Sequence, residues 1–135
     1  MHLINMFQWF IPQPNIKLVN FEYVKKYEMN QHILIHTLAE KDETCLIKGT
    51  IYANREEMTI NDYLNDYNTT IGIIVYGRNS TDESAMKKCQ QLAKLGFVNI
   101  YCYVGGLFEW LLLQELYGKD EFPTNGKCTD LLVWR

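Results

Sequence analysis

The chain has 135 residues, about one domain on the usual size relation. Hydrophobic residues make up 47% and charged residues 21%, which excludes a disordered chain. Thirteen Lys and Arg against sixteen Asp and Glu give a net charge of −3, which argues against nucleic-acid binding, where clustered cations must displace counterions.

Residues 1–15 read as an N-terminal apolar arm ending in Pro12 and Pro14, which break regular structure. The arm has no Lys or Arg to meet anionic lipid, so a membrane role is disfavoured. It shows no secretory pattern of a long apolar stretch with a small-residue cleavage site, and the expected location is cytoplasmic. Ile16–Val19 reads as a short strand. Asn20 is placed to cap a helix running to about Glu28, with Phe21, Val24 and Tyr27 on one face. Ile33–Leu38 reads as a buried strand and Thr50–Ala53 as a second short one. Asn61–Tyr67 reads as a short helix. Ile71–Tyr76 (IGIIVY) is a compact β-branched run typical of a buried parallel strand.

Ser80 and Glu83 form an S-x-x-E capping box before a helix carrying Ala85, Met86, Cys89, Leu92 and Ala93 at helical spacing. Gly96 ends that helix. Val98–Tyr103 is the next strand, and Gly105-Gly106 opens a helix from Leu107 to Tyr117. This last helix carries Leu107, Phe108, Trp110, Leu111 and Leu112, apolar almost all round, so it is either deeply buried or partly an interface. Strands alternating with helices predict an α/β fold: a central parallel sheet of about five strands flanked by helices, over residues 16–118. Residues 119–135 are expected to be a C-terminal tail packed on this single domain.

Of the four cysteines, none forms a C-x-x-C pair, and His2, His32 and His36 sit at no zinc-binding spacing. No metal and no cofactor is expected. Cys89 lies on a buried helical stripe and Cys102 within a strand, which suits core thiols in a reduced compartment. Cys45 lies in a charged loop (EKDETC), where acidic neighbours raise a thiol's pKa. Cys128 reads as a bystander in the tail. His36 is either a base or ligand near the loop after Tyr76, or a strand histidine satisfied by a backbone carbonyl.

The order of Tyr76, Leu95-Gly96-Phe97, Gly105-Gly106 and Trp110, spread over strand, loop, helix, strand and helix, resembles the C-terminal half of a rhodanese-like domain. More weakly, the likeness reaches back to about Val19, with Ile33–Leu38 as the first central strand. The resemblance implies a rhodanese-like α/β fold and a nucleophilic cysteine directly after Tyr76, in a loop whose amides stabilise an anion. That position holds Gly77, which has no sulfur. Dual-specificity phosphatases of the same topology use a cysteine and, six residues on, an arginine; those ends fall on Gly77 and Glu83. Where active rhodanese-like members often carry Arg or Thr, the loop ends in Asp82. Two carboxylates, Asp82 and Glu83, then disfavour an anionic substrate.

The expectation is a catalytically inactive rhodanese-like module with a protein-interaction or structural role. Its degenerate loop is Gly77, Arg78, Asn79, Ser80, Thr81 and Asp82. Two alternatives stand beside it: a sulfurtransferase using Cys45 as a displaced thiol, or a sensor that binds an anion or phospho-group through Arg78, Asn79 and Ser80. An unidentified protein partner or a homodimer is expected through the apolar last helix and the arm.

Overall fold

A computed structural model describes residues 16–128 and 130–135; the apolar arm predicted for residues 1–15 lies outside them. Five parallel strands form one sheet in the order β1-β6-β5-β2-β4: β1 Ile16–Val19, β2 His32–His36, β4 Thr50–Ile51, β5 Gly72–Tyr76 and β6 Asn99–Tyr103. Three α-helices lie between them, α1 Phe21–Lys26, α2 Ala53–Asn65 and α3 Ser84–Lys94, and α4 Gly106–Tyr117 follows β6. The strand residues alternate between two apolar layers, as a parallel sheet covered on both faces requires. Leu34, Ile74, Tyr76 and Tyr103 face α1, α4 and the tail, whereas Ile33, Ile35, Ile73, Val75 and Cys102 face α2 and α3.

The ends of several elements follow local chemistry. The Asn20 side chain accepts the Glu22 and Tyr23 N–H groups and starts α1, as its position in the sequence predicts. Two readings need correction. The helix expected at Asn61–Tyr67 begins eight residues earlier, at Ala53. Its first N–H donates to the Glu43 carboxylate at 2.8 Å, a cap supplied from ten residues upstream and invisible as a local motif. The capping box expected at Ser80 does not form: Ser80 is exposed, α3 starts at Ser84, and the Ser84 N–H donates to Asp82 Oδ1 at 2.9 Å.

A second, two-stranded antiparallel sheet pairs β3, Cys45–Ile47, with β7, Thr124–Gly126. It ties the tail to the domain. Phe122 and Trp134 are buried in the same layer as Trp110 and Leu111, and the Trp110 Nε1–H donates to the Pro123 carbonyl. Cys45 and Cys128 are joined by a disulfide, with Cα atoms 5.0 Å apart. That corrects the readings of Cys45 as a candidate displaced thiol and of Cys128 as a bystander, and Cys45 is buried. Cys89 and Cys102 are free and buried, as their positions on helix stripe and strand predict.

Gly72 opens a buried strand otherwise built of Ile, Ile, Val and Tyr. A Cβ placed there would lie 2.3 Å from the Cδ2 of His32 on the neighbouring strand. Gly72→Ala is therefore expected to displace the His32 ring and destabilise the fold by roughly 1–3 kcal/mol, the usual range for overpacking. Urea unfolding would measure it; an unchanged midpoint would mean that the ring moves aside without cost.

Candidate functional site

Parallel α/β sheets place their functional loops at the carboxyl ends of the strands. Here Gly77 follows β5, and residues 77–83 curl toward the start of α3. The loop is braced from α4, whose first turn donates the Leu107 N–H to the Gly77 carbonyl and the Phe108 N–H to the Arg78 carbonyl, both at 2.9 Å. This approach explains the second glycine of the Gly105-Gly106 pair. Gly106 has φ +69, and a Cβ there would come within 2.8 Å of Gly77 O and 2.9 Å of Asn79 N. Only glycine suits both the conformation and the space.

Asp82 fills the loop. Its Oδ2 accepts the Arg78 N–H at 2.9 Å, and its Oδ1 accepts the Ser84 N–H at the same distance. Oδ2 also lies 2.7 Å from where a Cβ on Gly77 would stand. The sequence places Asp82 at the rim as a repelling charge; the structure turns it inward, so that loop amides solvate a carboxylate belonging to the chain itself. Partial burial pushes the Asp82 carboxyl up, but the hydrogen bonds from Arg78 and Ser84 outweigh it and hold the group below its ordinary range.

The three residues read as anion-binding are differently placed. The Arg78 guanidinium donates to the Val133 carbonyl, lies 5.3 Å from the Trp134 ring centroid, and pairs at 3.7 Å with Asp42. The Asn79 Nδ2–H donates to the Trp134 carbonyl at 3.1 Å, while its Oδ1 accepts the Thr81 N–H and hydroxyl. Both side chains thus serve the tail and the loop. Ser80 stays at the exposed rim. Cys45, the candidate displaced thiol, carries no free sulfur because of its bond to Cys128. Cys102 lines a cavity of about 240 Å³ beside the loop, together with Met86 and residues 79–83. Its interaction with the Cys89 thiol, together with burial, pushes the Cys89 thiol up, and the same interaction draws that of Cys102 down.

His36 is buried and bonded on both nitrogens: its Nδ1 accepts the Leu38 N–H at 3.0 Å, and its Nε2 meets Glu43 Oε2 at 2.7 Å. With Nδ1 accepting, the ring proton sits on Nε2 and is donated to the carboxylate. The satisfied-histidine reading holds, but the partners are an amide and a carboxylate rather than a carbonyl. Glu43 also accepts the Ala53 N–H, so one oxygen joins β2 to the start of α2. Sequence reasoning passed over Glu43, since its partners lie seven and ten residues away on other elements. Nearby, Thr37 Oγ1 and Ser84 Oγ share a hydrogen bond of 2.6 Å that ties the end of β2 to α3. Among the described residues no group of His, Cys, Asp and Glu is arranged to hold a metal ion, and no helix is long and apolar enough to cross a membrane.

These carboxylates set an expected pH dependence. Burial raises Glu43, yet the hydrogen bonds from Ala53 and His36 leave it below its ordinary value, as with Asp82. A carboxyl group depressed in the folded state stabilises the fold above its unfolded pKa, about 4, and loses that contribution as pH falls through the folded value. Stability should therefore decline from about pH 4 downward. Glu43→Gln and Asp82→Asn should each flatten that decline, read by thermal melts across the acid range. A slope as steep in both variants as in the parent would contradict the assignment.

No family model and no curated protein matches the sequence. Solved structures do match in shape. The Rhodanese_3-like domain of an Anabaena protein superimposes with TM-score 0.53 at 18% identity, covering 73% of this chain and 96% of that one. A Saccharomyces cerevisiae protein described as a homologue of single-domain rhodanese and the Cdc25 phosphatase catalytic domain gives TM-score 0.59 at 18% identity, covering 92% and 95%. A Bacillus halodurans protein gives 0.56 at 20% identity, covering 94% and 90%. The fold is thus that of a single rhodanese-like domain, as the sequence motifs imply.

Proposed function

We propose that this chain is a catalytically inactive rhodanese-like module that serves as a protein-binding or structural element. The observation that carries the reading is the Asp82 carboxylate held by the Arg78 and Ser84 amides beside Gly77, where a reactive sulfur would need to stand. The loop lacks its nucleophile, and its amides already hold an internal anion. Arg78 and Asn79 are committed to the tail carbonyls, which also weighs against a free-anion sensor. Protein binding is supported by α4, whose outer side leaves Leu112, Leu116 and Tyr117 exposed.

A thiosulfate:cyanide assay with mass detection of cysteine persulfides tests the reading. The expected result is no turnover and no sulfur adduct on Cys89 or Cys102. An adduct whose removal by cysteine substitution abolishes turnover would overturn it.

A further inference from the structure

The last residues lie against the degenerate loop in the manner of a bound peptide. Leu131–Trp134 form one turn of 3₁₀ helix, and the Asp130 carboxylate accepts the Leu132 N–H at 3.0 Å. In such a turn positions i and i+3 fall on the same side. Leu131 and Trp134 accordingly pack on the layer that holds Leu107, Trp110 and Leu111, whereas Leu132 and Val133 between them are exposed. The loop grips the backbone of this turn. The Arg78 guanidinium donates to the Val133 carbonyl and lies near the Trp134 ring, and the Asn79 side chain donates to the Trp134 carbonyl at 3.1 Å. Apolar anchors at i and i+3, with donors for the carbonyls beside them, are what a groove for a short helical peptide offers.

A covalent bond keeps the groove filled. Cys128 stands two residues before Asp130, and its bridge to Cys45 fixes the near end of the turn to β3. Cys45 is buried and Cys128 is half-buried, so the Cys128 sulfur is the one a thiolate can reach. Attack there by a dithiol forms a mixed disulfide on Cys128 and expels Cys45 as a thiolate. The second thiol of the reductant then closes its own cyclic disulfide and releases Cys128, and both cysteines take up a proton. The nearest buried anchor is afterwards Phe122, eight residues before Asp130. Effective concentration falls as about the −3/2 power of tether length, so lengthening the tether from two to eight residues lowers it roughly eightfold.

We propose that the groove between the 77–79 loop and α4 is a docking site for a Leu-x-x-Trp segment of a partner protein. Residues 130–135 fill it in cis, and the Cys45–Cys128 bridge sets how readily a partner replaces them. The inference rests on the reading of the chain as a protein-binding module, and it gives that module a surface and its partner a chemistry. A partner turn offers the same two apolar side chains and the same carbonyls, so it competes with the tail on equal contacts. The tether alone favours the tail, and reduction lengthens it.

The test uses the full chain and a fluorescein-labelled peptide with the sequence of residues 130–135, DLLVWR, followed by fluorescence polarisation. The peptide should bind the parent under dithiothreitol roughly five- to tenfold more tightly than the oxidised parent. Cys45→Ser/Cys128→Ser should match the reduced parent with or without reductant. The same peptide carrying Leu131→Ala and Trp134→Ala should not bind. Amide NMR shifts on adding the parent peptide should fall on residues 78, 79 and 107–111. Equal binding to oxidised and reduced parent, no binding to the reduced protein, binding by the alanine peptide, or shifts confined to the outer α4 residues Leu112 and Leu116 would each overturn the proposal. Sulfur transfer is read without the tail or the peptide, so a failure here leaves the reading of Gly77 and Asp82 standing.

Discussion

Gly77→Cys alone is expected to give no measurable thiosulfate:cyanide sulfur transfer, whereas Gly77→Cys/Asp82→Ser should rise above it by roughly a thousandfold. The new Cβ would stand 2.7 Å from Asp82 Oδ2, closer than real Cβ contacts allow, so the side chains must first move apart. Even then, a thiolate about 4 Å from a carboxylate is raised by about 4 kcal/mol at an effective dielectric of 20. At 1.4 kcal/mol per decade that is about three orders of magnitude. The Arg78 and Ser84 amides would remain bonded to the carboxylate instead of the sulfur. Serine at position 82 removes the charge and the bulk, and it retains a hydroxyl able to accept the Ser84 N–H at the start of α3. Turnover and persulfide mass would be measured for both variants. Equal activity of the two would show that the carboxylate does not silence the loop.

The fold was readable because its signals are local. The β-branched run before Gly77, the Leu95-Gly96-Phe97 helix end and the Gly105-Gly106 turn each force a conformation on their own stretch of chain. The structure gives one of them its reason, since Gly106 is what lets the first amides of α4 reach the Gly77 and Arg78 carbonyls. The start of α2 was not readable, because its cap is Glu43, on a different element. The β3–β7 pair was missed for a related reason: three-residue strands about 80 positions apart show no period long enough to recognise.

The site was legible in what it lacks and less so in what it holds. Gly77 shows at once that no sulfur stands after Tyr76. The direction in which Asp82 points depends on two backbone amides that become neighbours only when the loop closes, so a rim carboxylate and one turned onto the loop amides look identical in sequence. The contacts of Arg78 and Asn79 were hidden for the same reason: the carbonyls they serve, on Val133 and Trp134, lie 55 residues further along the chain. Polar residues in a loop advertise capacity to bind. The tertiary fold decides whether that capacity is left free.

The Cys45–Cys128 bridge should be a major contributor to stability among the features of the tail. It joins residues 83 positions apart, and constraining an unfolded loop of that size stabilises the native state by roughly 4–5 kcal/mol in the chain-entropy picture. The non-covalent attachments of the last residues are also substantial. Trp134 is buried among Leu107, Trp110 and Leu111, and Arg78 and Asn79 hold two tail carbonyls. Cys45→Ser/Cys128→Ser, or the parent protein under reductant, is therefore expected to keep the fold while melting roughly 10–20 °C lower. Because the unfolded ensemble would also expand, the urea m-value should rise. Reductant should leave the double variant unchanged, since Cys89 and Cys102 are free thiols in the native state. Identical melting of oxidised and reduced parent protein would remove the bridge as a support of the tail. In that case Trp134→Ala, a core truncation of roughly 3–5 kcal/mol, would have to account for its attachment.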